Sequence, residues 1–176
     1  IRQSRLYAIS AGIGFDALVC ELALHAKLKT FLNRIGLGKL VYLILTVKSM
    51  RALQVQDAYI EFEGGESYEL KDMVFAAAMN QPYEGGGVPM APDAKNDDGL
   101  LSVIFVEDIP KKKMPRLLLR LLLKKHKKIQ GLRLKDTKSV RIHSDTPLVV
   151  HSDGEFCGYR TDIRFEAEKG KLRILC

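Results

Sequence analysis

The spacing of apolar residues in the first third of the chain predicts one short strand followed by two helices. Residues 5–10 predict the strand. From residue 15 to residue 28, apolar side chains recur at helical intervals and form a wide apolar face. Asp16 stands at the helix start, where a carboxylate caps the first turn and meets the positive end of the helix dipole. A polar, glycine-bearing bend at residues 33–38 leads to a second helix over residues 39–53.

The pattern then changes to the alternation that is typical of strands. Residues 55–63 alternate, Gly64-Gly65 predicts a turn, and residues 68–79 predict a returning strand with a buried run. Residues 80–99 contain three prolines and four glycines, and they predict a long irregular loop. Loops of that length inside compact domains are uncommon and tend to be functional.

The rest of the chain predicts further strands around one leucine-rich helix. A strand at residues 100–106 precedes a helix at residues 113–127, and four short strands follow at residues 139–144, 147–152, 161–167 and 171–175. Many short strands with frequent turn signals favour an α+β fold, a mostly antiparallel β-sandwich with a few flanking helices. We expect residues 1–176 to form a single domain.

Composition narrows the class of protein without selecting a function. The hydrophobic fraction of 47% and the charged fraction of 28% are those of a globular protein, so disorder is not expected. The longest apolar run, residues 41–47, is far shorter than the roughly 20 residues that cross a bilayer, and the first residues lack a secretion signal. We therefore expect a cytoplasmic protein, and the absence of Met at position 1 suggests a piece of a longer one. The net charge of +7 suits nucleic acid, an anionic membrane or phosphorylated ligands alike.

The long loop carries two candidate binding features. The consecutive Gly85, Gly86 and Gly87 permit positive φ and can expose N–H groups to an anion. Further along, Asp97 and Asp98 precede a glycine turn, and Mg²⁺ takes one or two carboxylates together with carbonyl oxygens and water. A solvated acidic turn that caps the following strand would look the same, so the spacing leaves both interpretations open.

Two shorter turns are also candidates. A carboxylate on a tight turn, such as Glu155 after Asp153-Gly154, can accept a proton from a hydroxyl nucleophile. An ordinary hairpin turn with exposed acids is the alternative. The corner from Gly12 to Asp16 could bind an anion at a helix start, or it could simply join a strand to a helix.

The basic helix and the histidines complete the candidates. Residues 117–123 contain six leucines in seven positions, with basic residues on both sides. This pattern fits a core helix with a solvated basic end or a helix that lies on an anionic membrane. His25, His143 and His151 show no metal-ligand spacing, so we expect ordinary packing or surface positions for them.

Four motifs, in this order along nearly the whole chain, resemble the C-terminal part of the soluble bacterial lipid kinases, relatives of diacylglycerol and sphingosine kinases. They are Ala11-Gly-Ile-Gly-Phe-Asp16-Ala, Gly38-Lys-Leu-Val-Tyr42, the loop that joins Met79-Asn80, Gly85-Gly-Gly87, Ala91-Pro92-Asp-Ala94 and Asp98-Gly99-Leu100, and the turn Asp153-Gly154-Glu155. Their order and spacing make the resemblance specific.

The resemblance implies a β-sandwich that supplies the acceptor-lipid cleft and the catalytic acid. An N-terminal α/β half, absent from this chain, would bind ATP. Glu155 would be the general base that activates the lipid hydroxyl. A structural Mg²⁺ would be bound by the Asp98 side chain and the backbone carbonyls of Lys95 and Leu100. The residues expected to line the interdomain cleft are Asp16, Asn80, Gly85, Gly86 and Gly87.

The implied activity is transfer of the γ-phosphoryl group of ATP to a lipid hydroxyl, with Mg²⁺ as the metal ion and the ATP-binding half and the lipid as partners. Diacylglycerol, which would give phosphatidate, is the acceptor we expect; phosphatidylglycerol, a sphingoid base and an isoprenol remain alternatives. We expect the chain alone to be inactive, the protein to act at the inner face of the membrane, and a homodimer to be compatible with this function.

The main alternative is a non-catalytic membrane- or lipid-binding module. NAD kinases share the implied architecture, but the Asp-Gly-Glu turn favours the lipid branch. Nucleic acid is not an expected partner, because aromatic residues are sparse and not interleaved with the basic runs.

Overall fold

The computed structural model describes residues 4–24 and 38–170. Within these ranges the strands are β1 (Ser10–Gly14), β2 (Gln56–Phe62), β3 (Ser67–Met73), β4 (Phe75–Met79), β5 (Tyr83–Glu84), β6 (Val88–Pro89), β7 (Leu101–Val106), β8 (Leu132–Thr137), β9 (Ser139–Ser152) and β10 (Glu155–Glu166). The α-helices are α1 (Phe15–Leu24), α2 (Gly38–Ala52) and α3 (Met114–Leu122). Short 3-10 helices occupy Gly85–Gly87, Lys111–Lys113 and His126–Lys128. The predicted strand at residues 171–175, the end of the first predicted helix and most of the bend after it lie outside the described residues.

Eight of the strands form one curled antiparallel sheet. Its order is β3-β2-β9-β1-β4-β7-β8, and β10 pairs with β9 outside this path. The short strands β5 and β6 form a separate hairpin. The predicted α+β class with a mostly antiparallel sandwich is therefore confirmed. None of the helices in the described ranges is long and apolar enough to cross a membrane.

The long strand β9 joins the two halves of the sandwich. Its first half pairs with β2, its second half pairs with β1, and β10 runs along the opposite edge of both halves. The prediction of two separate strands here was wrong. The register shifts between the pairs Arg160↔Leu148 and Asp162↔His143, so Pro147 lies in the irregular stretch where its missing N–H costs no ladder hydrogen bond.

The sheet buries apolar side chains on both faces. The inner core lies between the two halves of the sandwich and includes Ile13, Ile60, Phe105 and Ile142. The outer face of β4 and β7 packs against α3 and the loop after β6. Alternate residues of the same strand serve the two cores, as the period of two requires.

Three further boundaries differ from the prediction. Residues 68–79 form two strands, β3 and β4, which Val74 separates. Within β3, Asp72 adopts φ +45° at an irregularity in the pairing with β2 and donates its N–H to Asp57 Oδ1 at 3.0 Å. Edge strand β8 was missed, since half of its residues are charged, as edge strands often are. The leucine-rich helix ends at Leu122, where the chain turns and Lys124 adopts φ +54°.

Candidate functional site

The strand register brings Glu155, Asn80 and the Asp98 turn to one end of the main sheet. Glu155 pairs with Ser152, Ser152 with Ala11, Ala11 with Ala78, and Ala78 with Val103. This row crosses five strands, from β10 to β7. Asn80 follows the end of β4, and the Asp98 turn precedes the start of β7, so both lie at the same end as the row.

The turn between β9 and β10 holds the segment that precedes β1. The Asp153 carboxylate accepts the N–H groups of Ala8, Ile9 and Ser10 at 2.8, 2.8 and 3.1 Å. Asp153 and Gly154 have φ values of +49° and +79°, as a tight two-residue hairpin requires. These bonds occupy the N–H groups of Ala8 and Ile9. The prediction of a strand at residues 5–10 was therefore wrong, and the observed strand β1 begins only at Ser10.

Asn80 clamps the same segment from the other side. Its backbone N–H donates to the Ile9 carbonyl at 2.8 Å, and its side-chain amide donates to the Ala8 carbonyl at 3.1 Å. Asn80 and Asp153 therefore fix one short piece of chain between the ends of two strands. The cleft-lining role predicted for Asn80 stays a prediction.

Glu155 lies at the exposed rim of this corner. Its side chain is 68% exposed and accepts a hydrogen bond from the half-exposed Arg5 guanidinium, which also contacts Cys157 Sγ at 3.5 Å. That hydrogen bond and the charges of Cys157 and Glu155 raise the pKa of Arg5 above its ordinary value. A carboxylate in this position is open to a hydroxyl group that approaches from outside the chain. Its role as a general base stays a prediction.

A buried cluster of three ionisable side chains lies beside this rim. The His151 Nε2 atom is 2.9 Å from Asp16 Oδ2 and 3.6 Å from Glu84 Oε1. The Ser10 hydroxyl donates to Glu84 Oε1 at 2.8 Å, which ties the cluster to the segment that Asp153 holds. His151 is 2% exposed, so solvent does not reach this imidazole.

Gly12 makes this cluster sterically possible. It pairs with His151 across the β1–β9 ladder, and Asp16 comes two residues after the strand ends at Gly14. A Cβ atom at Gly12 would stand 2.4 Å from Asp16 Oδ2 and 2.8 Å from His151 Nε2. Glycine is therefore needed at position 12 for the close approach of the Asp16 and His151 side chains. The Gly12–Asp16 corner thus positions a polar cluster as well as joining a strand to a helix.

Glu155 and the buried cluster project to opposite faces of the sheet. Paired residues of an antiparallel ladder share a face, and successive residues alternate. Glu155 therefore shares the face of Ser152 and of Ala11, which belongs to the inner core. The next pair, Gly12 with His151, faces the other side. The structure thus brings the predicted residues Asp16 and Glu155 to one corner but not into direct contact.

Burial and the neighbouring charges together shift the pKa values of Glu84 and His151. Burial and the neighbouring Asp16 charge raise the pKa of Glu84 to about 7, although His151 and the Ser10 hydroxyl act in the opposite direction. Burial alone would lower the pKa of His151, but the charges of Asp16 and Glu84 and the hydrogen bond to Asp16 outweigh it, so the pKa is raised. The cluster thus favours a protonated His151 and a Glu84 that takes up a proton near neutral pH.

The ligand atoms of Asp16, Glu84 and His151 all lie within 4.8 Å of one another, close enough to share a divalent cation. The same atoms satisfy each other directly, however, because the Asp16 and His151 side chains are at hydrogen-bond distance. We therefore interpret the cluster as a hydrogen-bonded unit that fixes the corner between β1, β9 and the β5–β6 hairpin.

The triglycine segment borders open space. A Cβ atom added at Gly85 or Gly87 would meet no atom within 4 Å, and Gly87 has φ +78°. Packing against residues 4–24 and 38–170 therefore does not explain glycine at these two positions. The segment follows directly after Glu84, so it lies next to the buried cluster.

The predicted metal site lies apart from the other residues. Asp98 is exposed and accepts the Leu100 N–H on Oδ1 at 2.9 Å, and Gly99 turns the chain with φ +80°. In the order of the sheet, β7 is four strands away from β10, which carries Glu155. One carboxylate and two carbonyl oxygens form an oxygen-only donor set that suits Mg²⁺. Binding of Mg²⁺ by Lys95, Asp98 and Leu100 stays a prediction.

Sequence reasoning missed Glu84 and His151. His151, expected to be an ordinary packing or surface residue, is buried and also joins two carboxylates in a cluster that the sequence did not predict. One signal was available: Leu148 and Val150 mark the inner face of a strand, so His151 had to face the other side directly before the Asp153 turn. Glu84 gave no comparable signal, since it lies in a loop.

The raised pKa of Glu84 predicts a pH-dependent stability. The folded state keeps the Glu84 proton up to about pH 7, whereas the unfolded chain loses it near 4.5, so this stabilisation is lost as the pH rises between these values. His151 acts in the same direction, because its raised pKa stabilises the folded state only while the ring is charged. We expect the free energy of unfolding to fall by up to about 3 kcal/mol over this window.

Glu84→Gln tests this expectation, because glutamine mimics the protonated acid. Urea unfolding at a series of pH values should show a flatter profile for this variant, while the exposed-site control Glu63→Gln keeps the original slope. An unchanged slope in Glu84→Gln would show that Glu84 does not titrate in this way.

The described residues form a mostly antiparallel, β-sandwich-like domain. Residues 9–176 match the family described as the YegS C-terminal NAD kinase beta sandwich-like domain, and the chain belongs to this family. The resemblance to bacterial lipid kinases is thereby confirmed.

Similar proteins carry lipid-kinase names. The Bacillus subtilis (strain 168) protein named "Putative lipid kinase YtlR" is 29% identical over 163 residues, 93% of this chain and 52% of the relative. A Staphylococcus saprophyticus diacylglycerol kinase is 24% identical over 157 residues, 89% of this chain and 49% of the relative. A solved structure of a "putative diacylglycerol kinase" from Bacillus anthracis str. Sterne has the same fold, with a TM-score of 0.61, 21% identity, and coverage of 93% of this chain and 51% of that one. The chain thus spans about half the length of these relatives.

Proposed function

We propose that this chain is the acceptor-binding half of an ATP-dependent lipid kinase, which transfers the γ-phosphoryl group of ATP to the hydroxyl of a lipid such as diacylglycerol. The family and the names of the relatives support this reaction class. The observation that carries the proposal is the row of paired residues that brings Glu155 and Asn80 to one end of the sheet. An ATP-binding half would close over this end.

Glu155 is the proposed general base. It accepts the proton of the lipid hydroxyl as the hydroxyl oxygen attacks the γ-phosphorus, and ADP leaves from the opposite side. Its exposure allows an acceptor to reach it. His151 is a poorer candidate for this role, because it is buried and its Nε2 atom is engaged by Asp16.

The remaining residues position rather than react. Asp16, through the buried cluster, and Asn80, through its two hydrogen bonds, hold the segment from Ala8 to Ser10 that borders the proposed cleft. Gly85 and Gly87 leave space in which a phosphate or the partner half can approach the backbone. Asn80, Asp16 and the glycine run are therefore proposed to line the cleft.

Mg²⁺ has a structural role in this proposal. Asp98 and the carbonyls of Lys95 and Leu100 would hold it, and the ion would neutralise the acidic turn and fix the loop before β7. ATP would be held mainly by the absent half, because no glycine-rich nucleotide loop of the Walker type occurs in this sequence.

A transfer assay tests the proposal. Radiolabelled ATP and diacylglycerol are incubated with this chain alone and with the protein that carries the ATP-binding half. We expect labelled phosphatidate only from the longer protein, because half of the cleft is missing from the chain. Efficient phosphatidate formation by the chain alone would contradict the need for a second half. Failure of the longer protein to label any of the lipid hydroxyls (glycerol lipid, sphingoid base or isoprenol) would contradict the kinase proposal.

A further inference from the structure

Residues 111–128, here called the basic segment, carry the positive charge of the whole chain. They include nine lysines and arginines and no aspartate or glutamate. Of the 28 basic and 21 acidic residues in the chain, 19 and 21 remain elsewhere, a net charge of −2. The net positive charge of the chain therefore comes from this one segment.

Helix α3, at the centre of this segment, is apolar on both sides. Its inner side contributes Met114, Leu117 and Leu121 to the outer core, and all three are buried. Its other side presents Leu119, Leu122 and Leu123, which are 56%, 54% and 51% exposed. Positions 119, 122 and 123 are neighbours on a helix surface, so these leucines form one exposed patch.

Lysines surround this patch. Lys111, Lys112 and Lys113 precede the helix and Lys124 and Lys125 follow it, and all five are exposed. An exposed apolar patch with a cationic border is the arrangement that peripheral proteins use at an anionic bilayer, where leucines enter the acyl boundary and lysines meet the headgroups.

The basic segment is attached to the candidate site. Lys124 Nζ donates to the Tyr83 hydroxyl at 2.7 Å and lies 5.2 Å from the Tyr83 ring centroid. The buried His126 Nε2 atom is 2.9 Å from the Pro89 carbonyl oxygen. Both contacts are to the β5–β6 hairpin, which also carries Glu84 of the buried cluster. A surface that binds this segment therefore lies beside the proposed cleft.

We propose that the exposed face of the basic segment docks on an anionic phospholipid bilayer and holds the cleft next to its lipid substrate. The reason for docking, delivery of the lipid substrate to the cleft, rests on the proposed function. The binding to the bilayer does not depend on lipid phosphorylation. Charge complementarity identifies an anionic partner. The exposed leucine patch favours a bilayer, whose acyl region can accept apolar side chains. A nucleic acid is disfavoured, because the segment contains no Phe, Trp or Tyr on which a base could stack.

Co-sedimentation with vesicles tests the docking surface without ATP. The chain is mixed with vesicles of phosphatidylcholine alone, or of equal parts phosphatidylcholine and phosphatidylglycerol, at low and high salt. We expect binding only to the vesicles with phosphatidylglycerol, and we expect high salt to weaken it. The combined variant Leu119→Ser, Leu122→Ser, Leu123→Ser should reduce binding at least tenfold. The combined variant Lys111→Gln, Lys112→Gln, Lys113→Gln should reduce it by roughly a hundredfold, since each lysine near the surface accounts for roughly fivefold.

Matched controls lie outside the segment. Tyr59→Ser removes a 42%-exposed apolar side chain on β2, and Lys138→Gln removes an exposed lysine between β8 and β9. Both should bind vesicles like the parent chain, and circular dichroism should show that all variants keep their strand signal.

Three results would overturn the docking surface: no binding to anionic vesicles, equal losses in the controls and the segment variants, or binding that needs the lysines but not the leucines. Tight binding to duplex DNA that is insensitive to the leucine changes would assign the segment to nucleic acid instead. Vesicle binding by a longer protein that phosphorylates no lipid would leave the docking surface intact, and it would contradict only the proposed kinase function.

Discussion

Glu155→Gln, introduced into the protein that carries both halves, is expected to lower the turnover number for lipid phosphorylation by about a hundredfold to ten-thousandfold. Glutamine keeps the size of the side chain but cannot accept the hydroxyl proton. The fold should be unaffected, because Glu155 and its partner Arg5 are both exposed, and exposed ion pairs contribute little to stability. Initial rates with radiolabelled ATP, together with thermal unfolding, measure the two effects separately.

A matched control is available on the same strand. Glu166, at the other end of β10, is also exposed and also lies near an arginine, Arg164. Glu166→Gln should keep near-normal turnover. Turnover of Glu155→Gln close to that of this control would show that Glu155 is not the base.

Gly12→Ala is expected to produce the largest loss of stability. The added methyl would lie 2.4 Å from Asp16 Oδ2, 2.8 Å from His151 Nε2 and 3.0 Å from the Ala76 carbonyl oxygen. The Asp16 and His151 side chains are hydrogen-bonded to each other, and the Ala76 carbonyl belongs to the central strand β4. Moving any of these groups away from the added methyl would therefore cost free energy. We expect destabilisation of about 3 kcal/mol and a fall of roughly 10 °C in Tm.

Gly85→Ala provides the comparison, because a Cβ at Gly85 meets no atom within 4 Å. Thermal unfolding should place this variant within about 0.5 kcal/mol of the parent chain. If Gly12→Ala unfolded at the same temperature as Gly85→Ala, the close packing of Asp16 and His151 against β1 would be refuted.

The alternating pattern and the turn residues predicted most of the elements because they depend on local spacing. The second helix and the strands at residues 55–63 and 100–106 appear where the period of two or of 3.6 places them, within a few residues. The hairpin at Asp153-Gly154 was also predicted, since positive φ values favour these residues.

Features that depend on long-range register could not be predicted. β9 continues past Pro147 only because a register shift removes the need for a hydrogen bond there. Asp16 and His151 are 135 positions apart and meet only because β1 pairs with β9, and Glu84 joins them from a hairpin that sequence reasoning took for an irregular loop. No spacing rule connects three such distant residues, so the central cluster of the site emerged only from the fold.

The position of the bound nucleotide shows whether this corner is the phosphoryl-transfer site. A structure of the protein that carries both halves, determined with a non-hydrolysable ATP analogue, should show the terminal phosphate at the end of the sheet where Ser10, Asn80 and Glu155 lie. A nucleotide bound instead at the opposite end, beside the pair Phe75↔Val106, would contradict the assignment of this corner as the phosphoryl-transfer site.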